Sequence, residues 1–368
     1  MELNNILVVG LGQCGCRITD GFKSLNPELT PIYINSSEYD MLDCKHIRDY
    51  NKHIFNGADG SGKDINKALE FIIEDKPRLL SFLDKFSQFK YMLVVSSLGG
   101  GTGAGTLTEF CRIVKETYDI KVGVLSIMPS LTEDKLSLDN ALTTLKELSS
   151  NKFLELVDSV TVANNGKVKG GNYAKINRQI VKGFSQALTL TTDSREERID
   201  TSDLSKVFLN NKGYLSILPM PEYCDSIEES LLEARENNIF VCNSEDMECG
   251  YGAIVLNEEY NLKEVASLIN SDETLFKSHD KEDPNKNMIL LGGCSFPRDI
   301  INDLRTELRT RNAKKVERKL GLDDEEFDID ERKKKIMSSL SENGNSISRN
   351  RRRTNNINKI LDDEDIDF

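Results

Sequence analysis

Short apolar runs recur through the first half of the chain, at residues 6–9, 31–34, 91–95, 122–127 and 160–163. None alternates with polar residues, so each reads as a strand buried on both faces. Helix-like stretches lie between them, at 106–118 and 139–148 among others. Strands alternating with helices predict an α/β fold with a mostly parallel sheet and helices on both faces. Residues 172–190 carry a helical pattern. After Leu204 the texture changes: apolar runs at 214–218, 253–256 and 288–291 are separated by helical stretches at 226–237 and 262–270. This predicts a smaller α/β domain joined to the first through the long helix. Ile300, Ile301, Leu304, Leu308 and Val316 then mark an amphipathic helix lying on the surface.

Composition narrows the class. The chain has 368 residues with 48 basic and 61 acidic side chains, a net charge of −13, and its length suits two domains or one large one. No apolar run approaches the roughly 18 residues that span a bilayer, so no membrane association is expected. No basic region precedes the first strand, so a secretory signal is not expected and a cytoplasmic location is. The negative charge argues against a body that wraps bare nucleic acid. Eight cysteines, at 14, 16, 44, 111, 224, 242, 249 and 294, form no CxxC pair, and there are three histidines. They read as reduced thiols, with no metal site. Residues 341–361 hold five basic residues and one acid, and 362–368 hold five acids. Such a tail is expected to be disordered when free.

Two glycine segments carry the candidate chemistry. Gly10-Leu11-Gly12-Gln13-Cys14-Gly15 follows the first strand and opens a helix, where backbone N–H groups and the helix dipole favour a phosphate. A dinucleotide site would add an acid at the tip of the second strand. That strand ends Ile34-Asn35-Ser36-Ser37, which disfavours an NAD-dependent oxidoreductase. The second segment is more specific. Gly99-Gly100-Gly101-Thr102-Gly103-Ala104-Gly105 places five glycines in seven residues between a buried strand and a helix, a backbone able to turn many N–H groups toward one anion. A third segment, 57–64, has P-loop spacing, but Asp64 stands where a Mg²⁺-binding Ser or Thr belongs and no apolar strand leads in. It reads as a lesser phosphate-side loop, with Gly60 in its turn and Lys63 as a charge partner.

The GGGTGAG run at 99–105, some ninety residues beyond GLGQCG at 10–15, resembles the signature of the tubulin/FtsZ superfamily. The resemblance spans about residues 5–300. It implies a Rossmann-like parallel-sheet GTP-binding domain at 1–171, a central helix and catalytic loop at 172–204, a smaller α/β domain at 205–298, C-terminal helices at 299–340 and a tail at 341–368. GTP or GDP with Mg²⁺ would be the bound species. Asn35 resembles part of the second phosphate-side loop, and residues 129–133, ending in Glu133, resemble the ribose-contacting loop. Asn165 (or Asn164) and Asn177 fall where the family places asparagines around guanine. Residues 199–204 resemble the loop whose acids reach into the neighbouring subunit. Asp200 and Asp203 would then be the catalytic pair, acting in trans in head-to-tail filaments.

Some positions depart from FtsZ. Asp134 and Ser137 replace its Gly and Arg, the catalytic loop lacks its opening Asn near Arg198, and the C-terminus lacks a membrane-adaptor peptide. These departures and the Arg-rich tail favour the TubZ-like branch, the GTPases of plasmid and phage partition systems. For that branch the resemblance implies a TubR-like DNA-binding adaptor docked on the tail. Other readings stay open here: a cytokinetic FtsZ-like ring protein, or a nucleotide-binding structural protein that does not hydrolyse. Residue by residue, Asp200 also suits a helix N-cap, Asn177 an exposed helix position, and Cys14 either a base contact or a helix-start filler.

Overall fold

The computed structural model describes residues 2–167, 172–192, 198–210, 212–242, 247–280 and 286–319. The strands are β1 (Ile6–Leu11), β2 (Thr30–Asn35), β3 (Lys52–Ile54), β4 (Tyr91–Ser97), β5 (Lys121–Met128), β6 (Ser159–Asn164), β7 (Tyr214–Pro219), β8 (Glu248–Cys249), β9 (Tyr251–Leu256), β10 (Asn270–Ser271), β11 (Leu275–His279) and β12 (Met288–Cys294). The helices are α1 (Gly12–Leu25), α2 (Ile65–Glu74), α3 (Lys76–Leu83), α4 (Thr102–Thr117), α5 (Lys135–Leu148), α6 (Asn151–Leu156), α7 (Tyr173–Leu188), α8 (Thr201–Leu209), α9 (Ile227–Asn237), α10 (Leu262–Ser267) and α11 (Asp299–Lys319).

Ten strands form one sheet in the order β11-β9-β12-β7-β6-β5-β4-β1-β2-β3, and β8 and β10 form a separate pair. From β3 to β7 every pairing is parallel, whereas β12 runs antiparallel to both β7 and β9. β7, β9, β11 and β12 therefore extend the first sheet. Residues 1–311 make one compact unit, in which β6 and β7, on either side of residues 171–204, are joined through a single register pair, Val160 with Tyr214. Residues 312–368 form a second unit; the tail at 341–368 lies outside the described residues, as does the Val316 side chain.

The unalternating runs are explained by burial on both faces. Along β1, Leu7 and Val9 pack with α4 residues Leu107, Phe110 and Val114 on one side. Ile6 and Val8 pack on the other side with Ile18 and Phe22 of α1 and Ile176, Ile180 and Phe184 of α7. Phe184 anchors α7 edge-on to Phe22, with ring centroids 5.9 Å apart, and to Phe208 of α8 at 6.1 Å. Each such ring contact adds about 0.5–1.5 kcal/mol beyond area burial. Ile300, Ile301, Leu304 and Leu308 seat α11 in the first core, and all eight cysteines are free thiols.

Candidate functional site

The site gathers at the C-terminal ends of the parallel strands, where an α/β sheet opens a crevice. β1 runs to Leu11 and α1 starts at Gly12 without an intervening loop, so Gly10, Gly12, Gln13, Cys14 and Gly15 span a strand end and a first helical turn. Gly12 adopts φ +68°, and a Cβ there would lie 2.8 Å from the Gly103 amide nitrogen. That contact is tighter than any real side chain allows, so the two glycine segments touch through bare backbone. Gln13 is exposed, its amide donating to Asp40 at 3.3 Å.

The second segment differs from the sequence expectation. Its helix starts at Thr102, four residues earlier than the apolar pattern indicates, so only Gly99, Gly100 and Gly101 form loop. Thr102, Gly103, Ala104 and Gly105 occupy the first turn of α4, whose unpaired N–H groups face this end of the sheet. The helical glycines serve close packing: a Cβ on Gly103 would meet Ser96 Oγ at 2.6 Å, and one on Gly105 would meet the Ile65 carbonyl oxygen at 2.2 Å.

Three further loops close on this turn. Asn35 ends β2 fully buried; its Oδ1 accepts from the Ser36 amide at 2.8 Å, and its Nδ2 has no partner. The Ser36 and Thr102 hydroxyls are 2.6 Å apart, and Ser61 Oγ lies 3.2 Å from the same Thr102 oxygen. In the 57–64 loop, Gly60 (φ +77°) donates its amide to the Ser36 carbonyl, and Lys63 sits at φ 65°. Asp64 caps α2 by accepting from the Asn66 and Lys67 amides, which explains the residue that breaks the P-loop pattern. Asn140 of α5, which sequence reasoning missed, donates Nδ2 to both the Lys63 and Gly100 carbonyls, at 2.9 and 3.2 Å.

The Lys63 ammonium is paired with Asp134 at 2.5 Å and donates to Ser137 Oγ at 2.8 Å. That hydrogen bond, reinforced by Ser137, holds the Asp134 carboxyl well below the usual carboxylate range. Beside it, the Glu133 carboxylate accepts from the Ser130 amide at 3.0 Å, and burial together with this nearby carboxylate raises the pKa of the exposed Tyr173 hydroxyl that opens α7. Burial pushes the Cys14 thiol up to about 12, with Arg17 opposing and Glu133 adding to the shift. The thiol is therefore neutral, a packing surface with no nucleophilic role.

The two candidate asparagines flank this wall. Asn164 Oδ1 is engaged by the Gly166 amide at 2.8 Å, whereas Asn165 Oδ1 is buried without a partner. Half-buried Asn177 lies one turn along α7 from Tyr173, on the same helix face. That i,i+4 spacing was the signal by which Tyr173 could have been found. A cleft edged by two glycine segments, with an unsatisfied amide donor at Asn35, an unsatisfied acceptor at Asn165 and an open aromatic ring, suits a nucleotide. Backbone N–H groups of this kind suit phosphates, and an unpaired acceptor such as Asn165 Oδ1 suits a donating group.

Asp200 and Asp203 are not in this cleft. Asp200 caps α8, accepting from the Ser202 and Asp203 amides at 2.7 and 3.0 Å, while Asp203 accepts from the Asp200 amide at 3.2 Å. Those amide hydrogen bonds lower the exposed Asp200 carboxyl. The Thr192 amide donates to the Ile199 carbonyl at 3.0 Å, and the Ile199 amide donates to Thr192 Oγ1 at 3.0 Å, which ties this turn to the far end of α7. The sixteen residues of α7 separate the two places by about 24 Å.

Residues 5–171 match the tubulin/FtsZ family, GTPase domain. The tubulin-like protein TubZ of a Clostridium botulinum C phage is 23% identical over 339 residues, covering 88% of this chain and 91% of that protein. The tubulin-like protein CetZ of Pyrococcus furiosus is 30% identical over 215 residues, 55% of this chain and 57% of that one. The GTPγS-form protofilament of Bacillus thuringiensis serovar israelensis TubZ shares the fold, with TM-score 0.69 at 17% identity over 86% of this chain and 94% of its own. Residues 5–171 are thus a tubulin/FtsZ-family GTPase domain, in a chain that is TubZ-like over most of its length.

Proposed function

We propose that the chain is a GTP-dependent, filament-forming GTPase that segregates or positions plasmid or phage DNA. GTP binds in the cleft between the 10–15 and 99–105 segments, with Asn165 and Asn177 toward guanine, Tyr173 stacked on it and Glu133 near the ribose. One observation carries the rest: the Asp200/Asp203 turn, with Asp200 exposed and Asp203 half-buried beside Lys206, stands a full α7 length from the cleft. It cannot reach its own subunit's γ-phosphate, but it can meet that of the next molecule in a head-to-tail row. There its carboxylates would orient the attacking water, the element a phosphate cradle lacks. The filament-forming TubZ named above supports this arrangement.

Mg²⁺ fits the site in a limited way. Ser36, Ser61 and Thr102 offer hydroxyl oxygens, and no cluster of three or more His, Cys, Asp or Glu suited to a metal occurs among the described residues. That donor set suits an ion held mainly by phosphates and water. When bound, it would offset negative charge on the nucleotide. Lys63, now paired with Asp134, lies close enough to the 99–101 loop to share in this.

The C-terminal tail, outside the described residues, would dock a TubR-like adaptor on centromeric DNA. Its arginines suit that contact, while its closing acids disfavour direct DNA binding. Sedimentation with GTP, a slowly hydrolysed analogue and GDP tests the filament reading: pellets are expected with the first two and not with GDP. No pellet under any condition refutes it. Adaptor–DNA binding that survives truncation after Leu340 removes the docking role.

A further inference from the structure

We propose that Arg311, on α11, is a positioning residue for the nucleotide, acting through the 129–134 loop; the proposal rests on the GTP reading above. The loop joins β5 to α5 and has little regular structure of its own. Within it, the Glu133 amide donates to the Ser130 carbonyl at 2.9 Å and the Ser130 amide to Glu133 Oε1 at 3.0 Å. Its two carboxylates face the cleft, Glu133 toward Tyr173 and Asp134 toward Lys63.

On the loop's other side the Arg311 guanidinium donates Nη1 to the Glu133 carbonyl at 2.5 Å and Nη2 to the Leu131 carbonyl. Glu307, one turn back on α11, holds Nε at 2.6 Å and so fixes the plane of the fork. One rigid, permanently charged group therefore bridges two carbonyls two residues apart, which a lysine ammonium on a flexible stem cannot match. Charge-assisted bonds of this kind are among the stronger ones. Without the fork, both carbonyls turn to water and the loop samples other shapes. A nucleotide must then order the loop on binding, and apparent affinity falls by the fraction of time that the loop is competent. The signature is a change in affinity, since no group that touches the reacting atoms is removed.

Four proteins test this: wild type, Arg311→Gln, Arg311→Lys, and Leu308→Ala as a variant that loosens α11 packing but keeps the fork. Hydrogen exchange is measured on nucleotide-free protein, and equilibrium binding with a fluorescent GTP analogue. Arg311→Gln should speed exchange at residues 130–134 and weaken binding about tenfold, with Arg311→Lys in between and Tm little changed. Leu308→Ala should lower Tm and leave binding near wild type. Unchanged loop exchange or unchanged affinity in Arg311→Gln, with wild type binding normally, overturns the proposal alone. Equal loss of affinity in Leu308→Ala also overturns it, because the role would then be merely structural. A wild-type chain that binds no GTP overturns the proposal together with the reading beneath it.

Discussion

The hydroxyls of Ser36 and Thr102 stand 2.6 Å apart across 66 positions of sequence, both shut away from solvent. This bond joins the end of β2 to the first turn of α4, the turn whose amides line the cleft. Thr102→Val keeps the shape but strands the Ser36 hydroxyl in a buried site. An unsatisfied buried hydroxyl costs about 1–3 kcal/mol. The variant should unfold at lower temperature and bind GTP more weakly, as measured by melting with and without nucleotide.

Gly12 and Gly103 make a sharper case. Gly12→Ala puts a Cβ 2.8 Å from backbone at φ +68°, so nucleotide binding should be lost through displacement of α4. Gly57 has a similar φ of +69° but nothing within 4 Å. Gly57→Ala should cost only the left-handed strain, about 1–2 kcal/mol, and spare binding. Calorimetry of GTP binding on the two variants separates them.

Asn165 has an unpaired acceptor waiting for a donor. Guanine presents N–H donors on the edge where adenine has a ring acceptor. Asn165→Leu should weaken GTP by about fivefold to tenfold, one ordinary hydrogen bond, and narrow its advantage over ATP in competition binding. Asn164→Leu should disturb the turn at Gly166 with less effect on that ratio.

Asp200 combines a cap with the proposed catalytic role, and two substitutions split them. Asp200→Asn keeps an oxygen for the Ser202 and Asp203 amides, and Asn caps helices as well as Asp. It should hold Tm while phosphate release collapses. Asp200→Ala should lose both turnover and some Tm. Normal turnover in Asp200→Asn rules out a catalytic charge there.

A pH effect follows from His53. Burial lowers its pKa, against the opposing pull of Asp75, 2.7 Å away. The folded protein therefore binds that proton less readily than the unfolded chain, whose histidine titrates near 6.5. Where the unfolded state holds more protons, stability rises with pH. Stability from this group is complete above about 6.5 and lost as pH falls through that value toward the folded pKa. Tm should fall between pH 7.5 and 5.5, and the fall should shrink in His53→Gln.

Much of this was legible in the chain. Apolar runs gave the parallel strands because burial on both faces leaves no alternation, and the glycine segments marked the cleft. The beginning of α4 was not legible, since Gly103 and Gly105 look like turn residues until Ser96 and Ile65 are seen pressed against them. The place of β12, antiparallel between β7 and β9, depends on pairings that no local pattern records. Asn140 and Arg311 were missed for a shared reason: each acts on backbone carbonyls of a distant loop, and carbonyls carry no sequence signal.

The most direct measurement is phosphate release per molecule across a dilution series, from well below to well above the concentration at which the chain assembles. A cleft finished by the Asp200/Asp203 turn of another molecule gives specific activity that climbs with concentration and vanishes on dilution. Constant specific activity, undiminished in isolated monomers, would contradict the account at its centre.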